Sequence, residues 1–270
     1  AAFKIKGVPI NVNYRYKKEE LVYLLDNADA EAVFYQACYA DQIESIKDKI
    51  PKVKVFIQID DGTSSLIEFA LDFEDSISGH EPMERIKRSE ENMYMLYTGG
   101  TTGMPKGVMY KHGGFVSGMV RTAISWGLIP TGEDPDPELP PAFDIDELPE
   151  IVKAQDEADS LLVSLPACPL MHGTGMWLGA LIPLSAGGTV VTIPQLGLDP
   201  DNLLKETEKH KVNNLVIVGD AFARPIMDAL DKAKAEGSPY NIESVKMMIS
   251  SGVMWSSEVK QGLLAHHEML

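Results

Sequence analysis

The sequence predicts an α/β fold: largely parallel sheets flanked by helices. Three observations point there. Short β-type runs alternate with helical ones, most of those runs are nearly continuous stretches of apolar residues, and several intervening helices carry their own start or stop residues. Continuous apolar strands suit sheets covered on both faces, and strand–helix–strand repetition joins parallel neighbours.

Taken in order, residues 17–27 read as a helix, 32–36 as a strand, 42–50 as a helix and 53–59 as a strand. The last of these is closer to strict alternation, which marks it as a candidate edge. A strand at 93–98 runs into hydroxyls and glycines, then a Pro-Lys-Gly turn, and a helix follows over 113–126. Strand 161–165, helix 173–182 and strand 189–193 come next. The helix after them opens on Asp199 as a cap with Pro200 at its first position, and continues through His210. Strand 214–218 precedes a helix read to begin near Pro225 and close at Gly237, followed by strand 246–249 and helix 256–264.

The stretch 130–160 breaks this rhythm, with six prolines and eleven acidic residues against the single Lys153. Such a composition buries too little apolar surface to offset its ordering entropy. It reads as a solvated or partly disordered excursion, with a lid, a docking loop or a sub-domain boundary as alternatives. The expected organisation is a sub-domain at 1–129 holding a phosphate-binding loop, an acidic Pro-rich insertion at 130–160, and a second α/β sub-domain at 161–270.

The formal net charge of −16 argues against nucleic acid and anionic membrane surfaces as partners, since both are gripped by Lys and Arg. A small anion can still be held locally by amides and one Lys. Cys38 and Cys168 lie far apart without CxxC spacing, and read as free thiols of a reducing compartment. No apolar run approaches the length of a membrane span. With no initiator Met, no signal peptide and a last residue in apparent mid-helix, the chain is expected to be part of a longer, cytoplasmic protein.

Chemistry concentrates between Tyr94 and Val108. Glycines let backbone N–H groups approach an anion without an intervening Cβ; Thr98, Thr101 and Thr102 add hydroxyls, and Lys106 a compact positive charge. Together with Gly99, Gly100 and Gly103 they form a candidate polyphosphate cradle, against the plainer reading of a structural Gly/Thr turn. A Walker A loop is excluded because Lys106 lies between Pro105 and Gly107, and a dinucleotide fingerprint because no alignment of the glycines gives GxGxxG. His172, beside Gly173 at a strand-to-helix turn, reads from its residues alone as a capping or structural group. His112 reads as a cap for the helix after it, and Lys111 as solvated.

The unbroken run from Thr98 to Gly107 resembles the T-[SG]-G-[ST]-T-G-x-P-K-G signature of the adenylate-forming superfamily, which includes acyl-CoA synthetases, peptide-synthetase adenylation domains and luciferases. Gly7 to Arg15 resembles the segment preceding that signature, and Pro169-Leu170-Met171-His172-Gly173-Thr174-Gly175 resembles its P-L-x-H-x-x-G motif. Ser250-Ser251-Gly252-Val253-Met254 stands where the family carries an S-G-G-A-P turn beside adenine, with the second Gly and the Ala-Pro replaced. The stretch from Ile217 to Pro225 and that from Ser251 to Trp255 look closest to a bacterial subgroup acting on fatty or steroid side-chain carboxylates.

The resemblance implies a ligase using ATP, Mg²⁺ and CoA, with a small carboxylic acid as partner, through an acyl-adenylate. Transfer to a carrier protein, or a non-catalytic relic, are the alternatives. It implies phosphate contacts from Thr98, Gly99, Gly100, Thr101, Thr102, Gly103 and Lys106, and an adenine side at Ser251, Gly252, Val253 and Met254. It further implies an acyl pocket at His172, Val218 and Gly219, with His172 toward the reacting carboxylate and no metal ligand assigned. The family's Y-G-x-T-E segment, ribose-binding Asp and C-terminal domain with its Lys do not appear in this sequence, so the chain alone is expected to be inactive.

Overall fold

The computed structural model describes residues 2–84, 86–100, 103–129 and 145–268. It falls into two compact units, 1–111 and 112–270, each with its own core.

The first unit begins with strand β1 (Ile10–Asn11) and helix α1 (Lys18–Asn27). Glu20 accepts the Lys17 amide at 2.8 Å to close the first turn, and Leu21, Leu24 and Leu25 go to the core at helical spacing. Strand β2 (Ala32–Gln36) and the short helix α2 (Ala40–Glu44) follow. The helix expected over 42–50 stops early: the Ser45 hydroxyl donates to the Gln42 carbonyl at 2.7 Å, and the chain continues as a 3₁₀ turn at Lys47–Lys49. Ile43, Ile46 and Ile50 are buried all the same.

Strands β3 (Val55–Ile59) and β4 (Leu71–Asp72) complete a parallel sheet in the order β2-β3-β4. β3 is therefore central and not an edge. Its alternation has another cause: the sheet is covered on one face only. Tyr35, Phe56 and Gln58 point inward, and Gln58 is satisfied by the Tyr35 hydroxyl (3.3 Å), the Ser65 carbonyl (3.0 Å) and the Ile67 amide (3.3 Å). On the other face Phe34, Ile57 and Leu71 stand in register across the three strands, with Phe34 59% and Leu71 55% exposed.

After helix α3 (Phe73–Ile77), capped by Asp72 accepting the Asp75 amide at 2.9 Å, come strands β5 (Met93–Gly100) and β6 (Gly103–Lys111). β5 pairs parallel with β1 and antiparallel with β6.

The second unit opens with helix α4 (His112–Ser125), whose Ala123 is buried with Leu128, Ile129, Leu162 and Ile182. Helix α5 (Leu148–Glu157) occupies part of the acidic segment, most of the rest of which lies outside the described residues. It buries no residue fully, yet Val152 sits against Gly187 so closely that a Cβ there would stand 2.4 Å from it.

Strand β7 (Val163–Pro166) leads into a π-helix (Thr174–Leu181), helix α6 (Ile182–Ser185) and strand β8 (Thr189–Val190). Helix α7 (Pro200–Lys209) starts as expected, with Asp199 accepting the Asn202 amide at 3.1 Å and Pro200 inside the first turn. Strand β9 (Asn214–Ile217), helix α8 (Asp220–Ala235), strand β10 (Met247–Ser250) and helix α9 (Ser257–Leu264) complete the unit.

The sheet is wholly parallel in the order β10-β9-β7-β8. β9 is buried along its whole length. Among the described residues no helix is long and apolar enough to cross a membrane.

Candidate functional site

The signature expected as a strand, a loop and a Pro-Lys-Gly turn is a β-hairpin. Pairing continues past Thr98 to Gly100↔Gly103, with an irregularity between Thr98 and Gly100, so Lys106 lies within β6 directly opposite Thr98. Pro105 is tolerated there because β6 is an edge of its three-stranded sheet and the pairing is irregular beside it. Thr101 and Thr102 lie outside the described residues.

Directly opposed residues share a face, so the Thr98 hydroxyl and the Lys106 ammonium point the same way. Both are exposed, as are Gly99 and Gly103, and neither side chain is engaged with another described residue. Lys111, at the hairpin base, differs: it pairs with Glu91 at 2.7 Å and is not merely solvated.

Gly107 serves packing. Opposite it lies Tyr97, and a Cβ on Gly107 would stand 3.0 Å from that ring and 2.9 Å from Met95 Sδ. Tyr97 is buried, and its hydroxyl donates to Asn27 Oδ1 at 2.7 Å, tying the hairpin to α1.

In the second unit, the remaining expected residues follow the carboxyl ends of β7, β9 and β10. The chain leaves β7 toward β8 on one side, and leaves β9 toward β10 on the other. Adjacent parallel strands whose connections depart in opposite directions leave a crevice beyond their carboxyl ends. Gly219, just past β9, has φ +57° and ψ −160°, a region in effect reserved for glycine. A Cβ there would meet Val253 Cγ2 at 2.4 Å and the Met254 carbonyl at 2.5 Å. A Cβ on Gly252 (φ +93°) would stand 3.8 Å from both Thr174 Oγ1 and Val218 Cγ1. Val218 and Gly219 are thus brought against Gly252, Val253 and Met254.

His172 is exposed at the bend before the π-helix; its amide donates to the Pro169 carbonyl at 3.1 Å, and its carbonyl accepts from Met176 at 2.9 Å. Gly175, last residue of the P-L-x-H-x-x-G stretch, lets the π-helix lie on the chain leaving β7: a Cβ would come within 2.5 Å of the Pro169 carbonyl. π-helical turns concentrate at functional sites. Cys168 is buried behind the bend, and burial pushes its thiol up to about 11.

The AMP-binding enzyme family model matches residues 1–268. The chain belongs to that family. Similar curated proteins include a medium-chain acyl-CoA ligase (Mig) of Mycobacterium avium, 34% identical over 97% of this chain and 44% of its own length. A 3-oxocholest-4-en-26-oate–CoA ligase of Rhodococcus rhodochrous is 33% identical over 98% and 45%. In fold, the chain is similar to the anthranilate CoA ligase AuaEII in complex with anthranoyl-AMP (TM-score 0.76, 18% identity, 99% of this chain and 45% of that one). It is likewise similar to ATP-bound MatB from Rhodopseudomonas palustris (TM-score 0.70, 21% identity, 100% and 45%). The chain spans less than half the length of these curated relatives.

Three residues to which the sequence assigned no site role enter the second cluster of this AMP-binding family member. Ser250 Oγ accepts the Gly219 amide at 2.8 Å, Thr174 approaches Gly252, and Asp220 Oδ1 accepts the Ser256 amide at 2.8 Å. The only sequence signal for Asp220 is its position after a glycine at a strand end. Helix α8 starts there, five residues before the proline read as its beginning, because Gly219 turns the chain and its carbonyl accepts the Ala223 amide at 3.0 Å. The Ser256 amide and hydroxyl, then Arg224, hold the Asp220 carboxyl below the ordinary range. Among the described residues no group of three or more His, Cys, Asp or Glu side chains could hold a metal ion.

Proposed function

We propose that the complete polypeptide is an AMP-forming acid–thiol ligase: a carboxylate attacks the α-phosphorus of Mg²⁺-ATP, pyrophosphate departs, and the thiol of CoA displaces AMP from the acyl-adenylate. The observation that carries this reading is the opposed pair Thr98 and Lys106, whose donors no described residue engages, on a hairpin bearing the whole Thr98–Gly107 signature. In this reading Lys106, Thr98 and the amides of Gly99, Gly100 and Gly103 neutralise charge growing on the β- and γ-phosphates, joined by Thr101 and Thr102.

The substrate carboxylate is the nucleophile, so neither cysteine acts. His172 orients that carboxylate, Val218 and Gly219 border the acyl group, and the stretch from Ser251 to Met254 faces adenine. Mg²⁺ accompanies the nucleotide and shields its phosphates. The names of the relatives support a hydrophobic acid, fatty or steroidal, as substrate. Two free cysteines support a reducing, cytoplasmic location.

ATP–pyrophosphate exchange by the complete polypeptide over fatty, aromatic and steroid acids tests the proposal. Exchange with a hydrophobic acid that is lost in Lys106→Ala is the expected result; full-speed exchange in that variant would overturn it.

A further inference from the structure

We propose that Asp220 is a positioning residue, clasping the loop Ser251–Trp255 so that this loop is already ordered when nucleotide arrives; the role in nucleotide binding rests on the reading above. Trp255 packs on the core and holds the far end of the loop, but the four residues before it have little to hold them. Ser251, Gly252, Val253 and Met254 are all exposed, Val253 by 57% and Met254 by 85%, so their side chains bury little.

Besides Trp255, what fixes the loop is its backbone and the serine beside it, gripped from one place. The Gly219 amide donates to Ser250 Oγ at 2.8 Å, just before the loop. The Asp220 amide donates to the Met254 carbonyl at 3.4 Å, near its end. Asp220 Oδ1 accepts the Ser256 amide at 2.8 Å, just beyond it.

An aspartate in the first turn of a helix ordinarily serves its own helix, through the dipole and nearby amides. Here the carboxylate serves an amide thirty-six residues away, at the entry to α9. Arg224, one turn along α8, steadies the other carboxylate oxygen at 3.7 Å and reaches Glu258 of α9 at 3.7 Å. Gly219 completes the clasp by being small, since any side chain would displace Val253 and Met254. A loop ordered beforehand spares the binding step an entropy cost, so loss of the clasp falls on nucleotide affinity more than on turnover.

The test uses the complete polypeptide, with two readouts: amide hydrogen exchange over residues 250–256, and the split between KM and kcat in ATP–pyrophosphate exchange. Asp220→Ala is expected to speed exchange at Ser256 and raise KM for ATP, each roughly tenfold, the worth of one charge-assisted hydrogen bond. KM for the acid and kcat stay near those of the unmodified protein. Asp220→Asn keeps an acceptor oxygen and restores most of both.

A second pair guards against misfolding of the alanine variant. Ser256 has φ −69° and ψ 147°, which proline adopts without strain. Ser256→Pro deletes the N–H that Asp220 accepts and should raise KM for ATP, whereas Ser256→Ala keeps that N–H, loses the cap of α9 and the hydroxyl's contact with Asp220, and should raise it much less. Unchanged exchange at Ser256 in Asp220→Ala overturns the clasp. So does an asparagine variant as impaired as the alanine, or a fall in kcat at constant KM for ATP. If the unmodified polypeptide shows no pyrophosphate exchange with any acid, it is the ligase reading that fails; hydrogen exchange still decides whether the clasp exists.

Discussion

The hairpin bearing Thr98 and Lys106 and the carboxyl edge around Gly219 are built in opposite ways. On the hairpin the expected phosphate contacts fall close together within 98–106; of those whose burial is described, Thr98, Gly99, Gly103 and Lys106 are exposed, and Thr98 and Lys106 are cross-strand neighbours. Its base is anchored through Tyr97 over Gly107 and the Tyr97 hydroxyl on Asn27. At the edge, short stretches from three strand ends interlock so tightly that a single added methyl would collide with backbone. On the proposed reading, a group that is to reach a charged ligand is left unengaged, while groups that shape a surface are over-determined by their neighbours.

That contrast can be broken most directly at Gly219. Gly219→Ala puts a Cβ on a backbone reserved for glycine and into the Met254 carbonyl, and should destabilise the second unit by about 3 kcal/mol or more in chemical denaturation. A near-neutral result would mean the edge is loose. Lys106→Ala should do the reverse. Adenylate formation should fall about a hundredfold, close to 2.7 kcal/mol in the barrier, while stability shifts by no more than about 0.5 kcal/mol. A matched loss of stability would show that the lysine holds the fold.

Between these lies Gly107→Ala, expected to cost about 1–2 kcal/mol because Met95 and the Tyr97 ring must give way, though neither is backbone. Thermal unfolding of the two variants side by side compares hairpin base with edge. The smallest effect concerns pH. The folded pKa of Asp220 is depressed, chiefly by the Ser256 amide, so the stability it contributes is present above the unfolded carboxylate value and is lost as pH falls through the folded one. Exchange over residues 254–256, corrected for its intrinsic pH dependence, should stay constant down to about pH 4 and quicken below it. Asp220→Asn should abolish that step.

Most of the fold was legible because apolar runs and capping residues act locally. α1, β2, α7 and β10 begin within about a residue of where their patterns place them, as such boundaries allow. The Thr98–Gly107 signature was legible as residues but not as a shape. Gly99, Gly100 and Pro105 have local preferences for turns, and pairing between β5 and β6 overrode them. Pro225 misled in the same manner, since α8 takes its start from Gly219 and Asp220. The grip of Asp220 on Ser256 spans thirty-six residues, and no pattern in one sequence announces such a contact.

The bare row of Phe34, Ile57 and Leu71 has a practical consequence. A ribbon of hydrocarbon facing water draws like ribbons together, so these 270 residues prepared alone should turn cloudy or oligomerise as they are concentrated. Light scattering would follow the process, and Phe34→Glu should suppress it without disturbing the core of either unit.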